Sequence, residues 1–78
     1  MPKTKHDRLK RNAAQIYLGL ERVMADTLEL KGQFDPFHPE LAAALGLILD
    51  ASLASQELLR KFWAKAWGQE SPRWKSWI

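Results

Sequence analysis

The sequence predicts an all-α protein: an antiparallel helical hairpin of two long helices with a short C-terminal extension, paired with a second copy into a four-helix-bundle homodimer. Two heptad patterns of apolar residues, separated by one connector with two prolines, carry this prediction. Helices of near-equal length joined by a short connector pack antiparallel. We predict that residues 1–68 form the hairpin and that residues 69–78 form a basic, Trp-rich C-terminal tail.

The first helix is predicted over about residues 6–31, followed by a connector at 32–38. Asp7 suits the beginning of a helix, and Gly32 suits its end. Between them, apolar residues recur at alternating spacings of four and three, which is typical of one helix face. This face consists of Leu9, Ala13, Ile16, Leu20, Val23, Thr27 and Leu30, widened by Tyr17, Met24 and Leu28.

The second helix is predicted over about residues 39–67. Pro39 needs no N–H partner and Glu40 puts a negative charge at the positive end of the helix dipole, so both suit a first turn. Gly68 suits the end of the helix. In the hairpin, a residue of the first helix would lie beside the residue of the second helix for which the two residue numbers sum to about 71. The apolar face consists of Leu41, Leu45, Ile48, Ser52, Ser55, Leu59, Phe62 and Ala66.

The second helix is apolar on more sides than the first helix can cover. A helix that is apolar nearly all round is expected to be buried. A second copy is the simplest cover, since two-fold dimers are the commonest oligomers, and a different protein is the alternative. Asp50 lies near Arg22 in this register and is interpreted as a structural ion pair, or else as a device for oligomer specificity. The predicted oligomer interface consists of Leu45, Leu47, Leu49, Leu53 and Leu58.

All four tryptophans lie in the last eighteen residues. Trp63 and Trp67 are one helical turn apart and share a face, so we expect them to close the end of the bundle. Trp74 and Trp77 follow the predicted helix end, on a short turn. Three interpretations stay open for this pair: they fold back onto the bundle, they cover a neighbouring molecule, or they await a partner.

The formal net charge of +3 is unevenly distributed. Residues 1–11 carry a net charge of +4, residues 12–59 carry −5, and residues 60–78 carry +4. A hairpin brings the two basic segments to one pole, together with the tryptophans. Trp and Arg are the residues that most often anchor interfaces. The predicted partner-binding residues are Trp74, Trp77, Arg73, Lys75, Lys3, Lys5, Arg8 and Arg11.

These features predict a small non-enzymatic interaction protein, as an adaptor, an inhibitor or an assembly subunit, that self-associates and binds a macromolecule through the basic pole. An acidic protein surface is the favoured partner. The alternative is a nucleic-acid-binding protein that uses the same pole for phosphate neutralisation and base stacking, although no known DNA- or RNA-binding motif is present. A membrane is not expected as a partner, since the uncharged apolar run at residues 41–49 is shorter than the roughly 20 residues of a span.

The sequence contains no catalytic, metal or nucleotide-binding motif, and we expect no cofactor. Without cysteine, neither a disulfide nor a Cys-based zinc site can form. Asp35, His38 and Glu40 cluster around the connector, where helix capping and turn formation account for them better than a metal ion does. The missing secretory signal and cysteines favour a cytoplasmic protein.

Overall fold

The computed structural model describes residues 5–68 and 73–77. Helix α1 spans Lys5–Phe34, helix α2 spans Pro39–Trp67, and a 3₁₀ turn spans Trp74–Trp77. The two long helices pack against each other in opposite directions, and the turn packs on α1. The predicted all-α helical hairpin is therefore confirmed, as a narrow molecule that measures 53 × 23 × 16 Å.

The predicted end of the first helix at Gly32 is wrong, because α1 continues to Phe34. The backbone N–H of Asp35 donates to the carbonyl of Lys31 at 2.9 Å. The Lys31 ammonium also pairs with the Asp35 carboxylate at 3.0 Å. Both interactions connect Lys31 to Asp35, and Gly32 lies between these two residues in the chain. They stabilise the helical conformation of Gly32, although glycine is a poor helix former.

Helix α2 begins and ends at residues that suit those positions. His38 is the N-cap residue, but its side chain makes no capping hydrogen bond, and Pro39 follows at the first helical position. At the other end Gly68 adopts a left-handed conformation with φ of 69°, and its N–H donates to the carbonyl of Ala64 at 2.8 Å. This conformation is strained for residues with a Cβ atom, and it explains why a glycine ends the helix.

The contact between the helices uses only part of the predicted apolar faces, namely their smaller residues together with Tyr17. Small residues such as Ala13, Ala42 and Ser52 are buried there, so the helices can approach closely. Gln56 is also buried, and its side-chain amide donates to the carbonyl of Tyr17 at 3.1 Å. This pair lies about two positions from the predicted register, because the connector is centred later in the chain.

The large residues of the predicted heptads lie instead on one side of the hairpin. Ile16, for example, is 55% exposed. Two grooves of about 300 and 250 Å³ run along this side, and residues of both helices line each of them. We call this surface the open face. It consists of Leu9, Ile16, Val23 and Leu30 from α1 with Leu41, Ile48 and Phe62 from α2, all of them exposed.

The residues predicted for the oligomer interface are divided by the fold. Leu45 and Leu49 are half-buried, whereas Leu47, Leu53 and Leu58 are exposed, Leu47 at 70%. The predicted ion pair between Asp50 and Arg22 is wrong: both side chains are exposed, and no ion pair joins them within residues 5–68. Each of them is solvated instead.

Helix α2 is long and apolar enough to cross a membrane, judged by length and composition alone. It has 29 residues, its most apolar window has a mean hydropathy of 1.3, and only 17% of that window is buried. The prediction considered only the uncharged run at residues 41–49 and so underestimated the apolar length of α2. The apolar segment continues beyond this run, because Asp50 and Glu57 are the only charged residues between residues 41 and 59. Apolar core helices of other proteins pass the same test, so this finding is weak evidence for a span.

Candidate functional site: the basic aromatic pole

An aromatic cluster closes the end of the hairpin where α1 begins and α2 ends. Trp63 lies at its centre and is fully buried. Its ring meets those of Trp67, Trp74 and Trp77 at centroid distances of 4.8, 5.1 and 5.9 Å, in each case edge to face. Such pairs contribute about 0.5–1.5 kcal/mol each beyond the area they bury. Trp63 and Trp67 therefore close this end, as the sequence predicts.

The 3₁₀ turn folds back onto α1. The rings of Trp74 and Tyr17 are stacked, with centroids 4.2 Å apart and planes within 5°. The turn is held by Ser76, whose hydroxyl donates to the carbonyl of Arg73 at 2.7 Å. Trp74 and Trp77 are half-buried as a result. Of the three interpretations left open by the sequence, the structure shows the first, folding back.

The ammonium group of Lys10 lies close to three of the tryptophan rings. Its ammonium nitrogen is 5.9, 5.6 and 5.3 Å from the ring centroids of Trp63, Trp67 and Trp77. A cation at this distance is attracted by the aromatic quadrupole. Sequence reasoning did not place the charge of Lys10 here, and its heptad spacing from Tyr17 is the signal that could have done so.

Arg60 joins the two helices beside the stacked rings. One guanidinium nitrogen donates to the Tyr17 hydroxyl at 2.6 Å, and another donates to Glu57 at 3.1 Å. The guanidinium carbon lies 5.3 Å from the centroid of the Tyr17 ring. No pattern in the sequence predicts this contact. The charges of Lys10 and Arg60 are thus engaged within the protein.

The other cations described at this end are exposed or half-buried. Lys3 lies outside the described residues, and Lys5 is the first residue of α1. Within the described ranges no ion pair engages the remaining cations, so they give the end a surplus of positive charge that attracts anionic groups. Arg8, Lys61, Lys65, Arg73 and Lys75 are exposed, and Arg11 is half-buried. Together with the aromatic cluster they form what we call the basic pole.

The described part of the chain holds no arrangement typical of a metal centre. No three His, Asp or Glu side chains in residues 5–68 and 73–77 come close enough to share an ion. Of the three residues around the connector, Asp35 pairs with Lys31 and His38 makes no side-chain capping hydrogen bond. Every buried side-chain polar atom described has a hydrogen-bond partner. The exposed surface of this part of the protein combines apolar side chains with a basic end and an acidic middle.

These features define a class of protein: a helical hairpin whose one end is a basic aromatic pole and whose one side is apolar and exposed. No family model, no curated protein and no solved structure matches this chain. The function is therefore inferred from the chain's own surfaces.

Proposed function

We propose that this chain is a small non-enzymatic helical interaction protein that self-associates and binds an acidic protein surface through the basic pole. The observation that carries the proposal is a combination at one end of the described residues: six cations that no ion pair engages there, and a packed aromatic cluster. Surplus positive charge steers an acidic partner towards the pole and orients it. An adaptor, an inhibitor or an assembly subunit would use such a surface.

The aromatic cluster supports this proposal because it fixes the position of the cations. Arg73 precedes the 3₁₀ turn and Lys75 lies within it, and that turn is held on α1 by the stack of Trp74 on Tyr17. A surface that is already ordered loses less conformational entropy when a partner binds. Half-buried indoles next to exposed cations are also the composition that anchors protein interfaces.

Nucleic acid is the alternative partner, and the same exposed cations favour it. Binding of single strands normally adds stacking of bases on aromatic rings. In this pole the Trp63 ring is fully buried, and one face of Trp74 is covered by Tyr17. These two ring surfaces are closed to bases, and for this reason we favour an acidic protein surface.

The test is a charge reversal in the pole compared with one outside it. The exposed Lys75 is changed in Lys75→Glu, and the exposed Arg22 of the acidic middle is changed in Arg22→Glu as the matched control. The probe is a polyglutamate peptide, and its dissociation constant is measured by fluorescence anisotropy. We expect Lys75→Glu to weaken binding about threefold to fivefold and Arg22→Glu to change it less.

Two results would contradict the proposal. Equal effects of the two variants would show that only the net charge matters. Tighter binding of a mixed-sequence single-stranded oligonucleotide than of polyglutamate, with an affinity that falls steeply with salt, would assign the pole to nucleic acid instead.

A further inference from the structure

We propose that the open face is the interface between two copies of this chain, and that the copies pack antiparallel with their basic poles at opposite ends. The inference rests on the self-association in the proposed function, and it adds the surface and the orientation. Three observations carry it: the area that one copy leaves exposed, the heptad spacing of the open face, and the distribution of charge along the hairpin.

One copy exposes more surface than a protein of its mass normally does. The accessible area is 5985 Å² for 9.0 kDa, whereas folded monomers of this mass expose about 4,850 Å². The excess for the whole chain is about 1,100 Å², and a stable interface of ordinary size buries about 800 Å² on each partner. The exposed area is therefore sufficient for an interface of ordinary size with a second copy.

The open face has the spacing that helix bundles use. Leu9, Ile16, Val23 and Leu30 follow one another at intervals of seven along α1, as do Leu41, Ile48 and, after Ser55, Phe62 along α2. Heptad spacing keeps an apolar stripe facing a partner helix along its whole length. A single helix from another protein would cover part of this face, whereas a second hairpin offers two matching stripes.

The charges decide between the two ways in which the copies can pair. Whether the two copies are parallel or antiparallel, each helix packs against helices that run in the opposite direction. The helix dipoles therefore do not favour one arrangement over the other. A parallel pair puts two basic poles together. An antiparallel pair puts the exposed cations of the basic pole beside the connector end of the partner, where Glu29 and Glu40 are exposed. Opposite charges at this distance attract and like charges repel, so the antiparallel pair is the more stable.

The side chains also fit this orientation. With the two-fold axis at the middle of α1, near Gly19, Leu9 faces Leu30 of the second copy and Ile16 faces its Val23. On α2, Phe62 would lie near Ala44 of the second copy, a large residue against a small one. Gly19 is exposed, and a Cβ atom on it would have no neighbour within 4 Å. The centre of the interface therefore has room for two α1 helices to approach closely.

The orientation has a consequence for binding. Each copy measures 53 Å along its length, so an antiparallel pair carries two basic poles about that far apart. One dimer would therefore bridge two acidic partners rather than hold one partner at a doubled site. Bridging raises the effective concentration of the second binding event when both partners are linked.

The orientation is tested by a distance between spin labels. The chain has no cysteine, so Gln33→Cys gives a single labelling site, at an exposed position near the connector. Gln33 lies about 14 residues from the proposed axis, and at 1.5 Å per residue the two labels of an antiparallel pair are about 40 Å apart. In a parallel pair they lie within about 25 Å, the width of a bundle. The measurement is double electron–electron resonance.

The surface is tested with a matched pair of charge substitutions. Ile16→Glu puts a carboxylate in the open face, and Leu53→Glu puts one on a residue of similar exposure that points about 140° away from Ile48 around α2. By sedimentation velocity we expect a dimer for the original chain and for Leu53→Glu, and a monomer for Ile16→Glu. Circular dichroism shows whether Ile16→Glu keeps its helices. If it does not, Ile16→Ala replaces it, and we expect that variant to form a weaker dimer than the original chain.

Each of three results overturns the proposal. A monomeric original chain with a cooperative thermal transition removes the dimer. A label distance under about 25 Å removes the antiparallel orientation. A monomer that floats with phosphatidylcholine–phosphatidylglycerol vesicles assigns the open face to lipid. Binding of polyglutamate by the monomeric variant tests the basic pole separately, so the proposed function and this inference can fail independently.

Discussion

The two ends of the hairpin are packed by different means. At the basic pole a fully buried Trp63 is surrounded by three other indoles and by Lys10. Towards the connector the helices meet through small buried residues such as Ala42 and Thr27, and Phe37 is 77% exposed. Among the described residues, the one large side chain that is fully buried lies at the aromatic end. The rest of the hairpin has a narrow seam of small buried residues and exposed apolar side chains.

The largest effect is expected from Trp63→Ala. Truncation of a fully buried aromatic residue costs about 3–5 kcal/mol, which is comparable to the whole stability that a core of this size supplies. Phe37→Ala at the other end is the control and should change the stability by about 0.5 kcal/mol or less. Urea unfolding followed by circular dichroism, at one fixed protein concentration, measures both. Equal losses would mean that the two ends do not differ in packing as described.

An intermediate effect is expected from Trp74→Ala. The ring is half-buried and stacks on Tyr17, so its loss should cost about 1–3 kcal/mol, less than Trp63→Ala. Trp74→Phe keeps an aromatic ring in the stack and should recover most of that stability. The same unfolding experiment measures both variants. A Trp74→Ala protein as stable as the original would show that the 3₁₀ turn adds nothing to the packing of the pole.

The smallest effect is expected at the connector end, from Asp35→Asn. Its ion pair with Lys31 is solvent-exposed, and such pairs contribute about 0.2–1 kcal/mol. We expect a loss of about 0.5 kcal/mol or less, and high salt should reduce the difference further. Asp26→Asn, at an exposed carboxylate elsewhere on α1, is the control. A much larger loss for Asp35→Asn would show that this pair is required for α1 to continue past Gly32.

The sequence was enough to predict the hairpin but not which residues of the predicted faces lie in the contact. Heptad spacing identifies one broad apolar face on α1, to which Ile16 and Tyr17 both belong, and of these two only Tyr17 is buried. The choice between them depends on how closely the backbones can approach, which small residues such as Ala13 and Ala42 permit. The stripe of larger residues was displaced to the open face. A pattern that divides residues only into apolar and polar takes no account of the size of each side chain.

The basic pole was predicted from charge, and its internal contacts were not. Folding the chain back on itself places cations and tryptophans at one end whatever the details of packing are. The contacts of Lys10 and Arg60 depend on where the 3₁₀ turn lies and on which rotamers fit between the rings. Such contacts are between residues far apart in the chain, and single-sequence patterns do not encode them.

Because the tryptophans are clustered, they serve as an intrinsic spectroscopic probe of one end of the protein. All four tryptophans of the chain lie in one cluster, with the Tyr17 ring stacked on one of them. Ultraviolet emission and near-ultraviolet circular dichroism therefore report on the basic pole alone, with no indole signal from the connector end. A ligand that docks at the pole should change the spectrum, whereas an event confined to the far end should leave it unaltered.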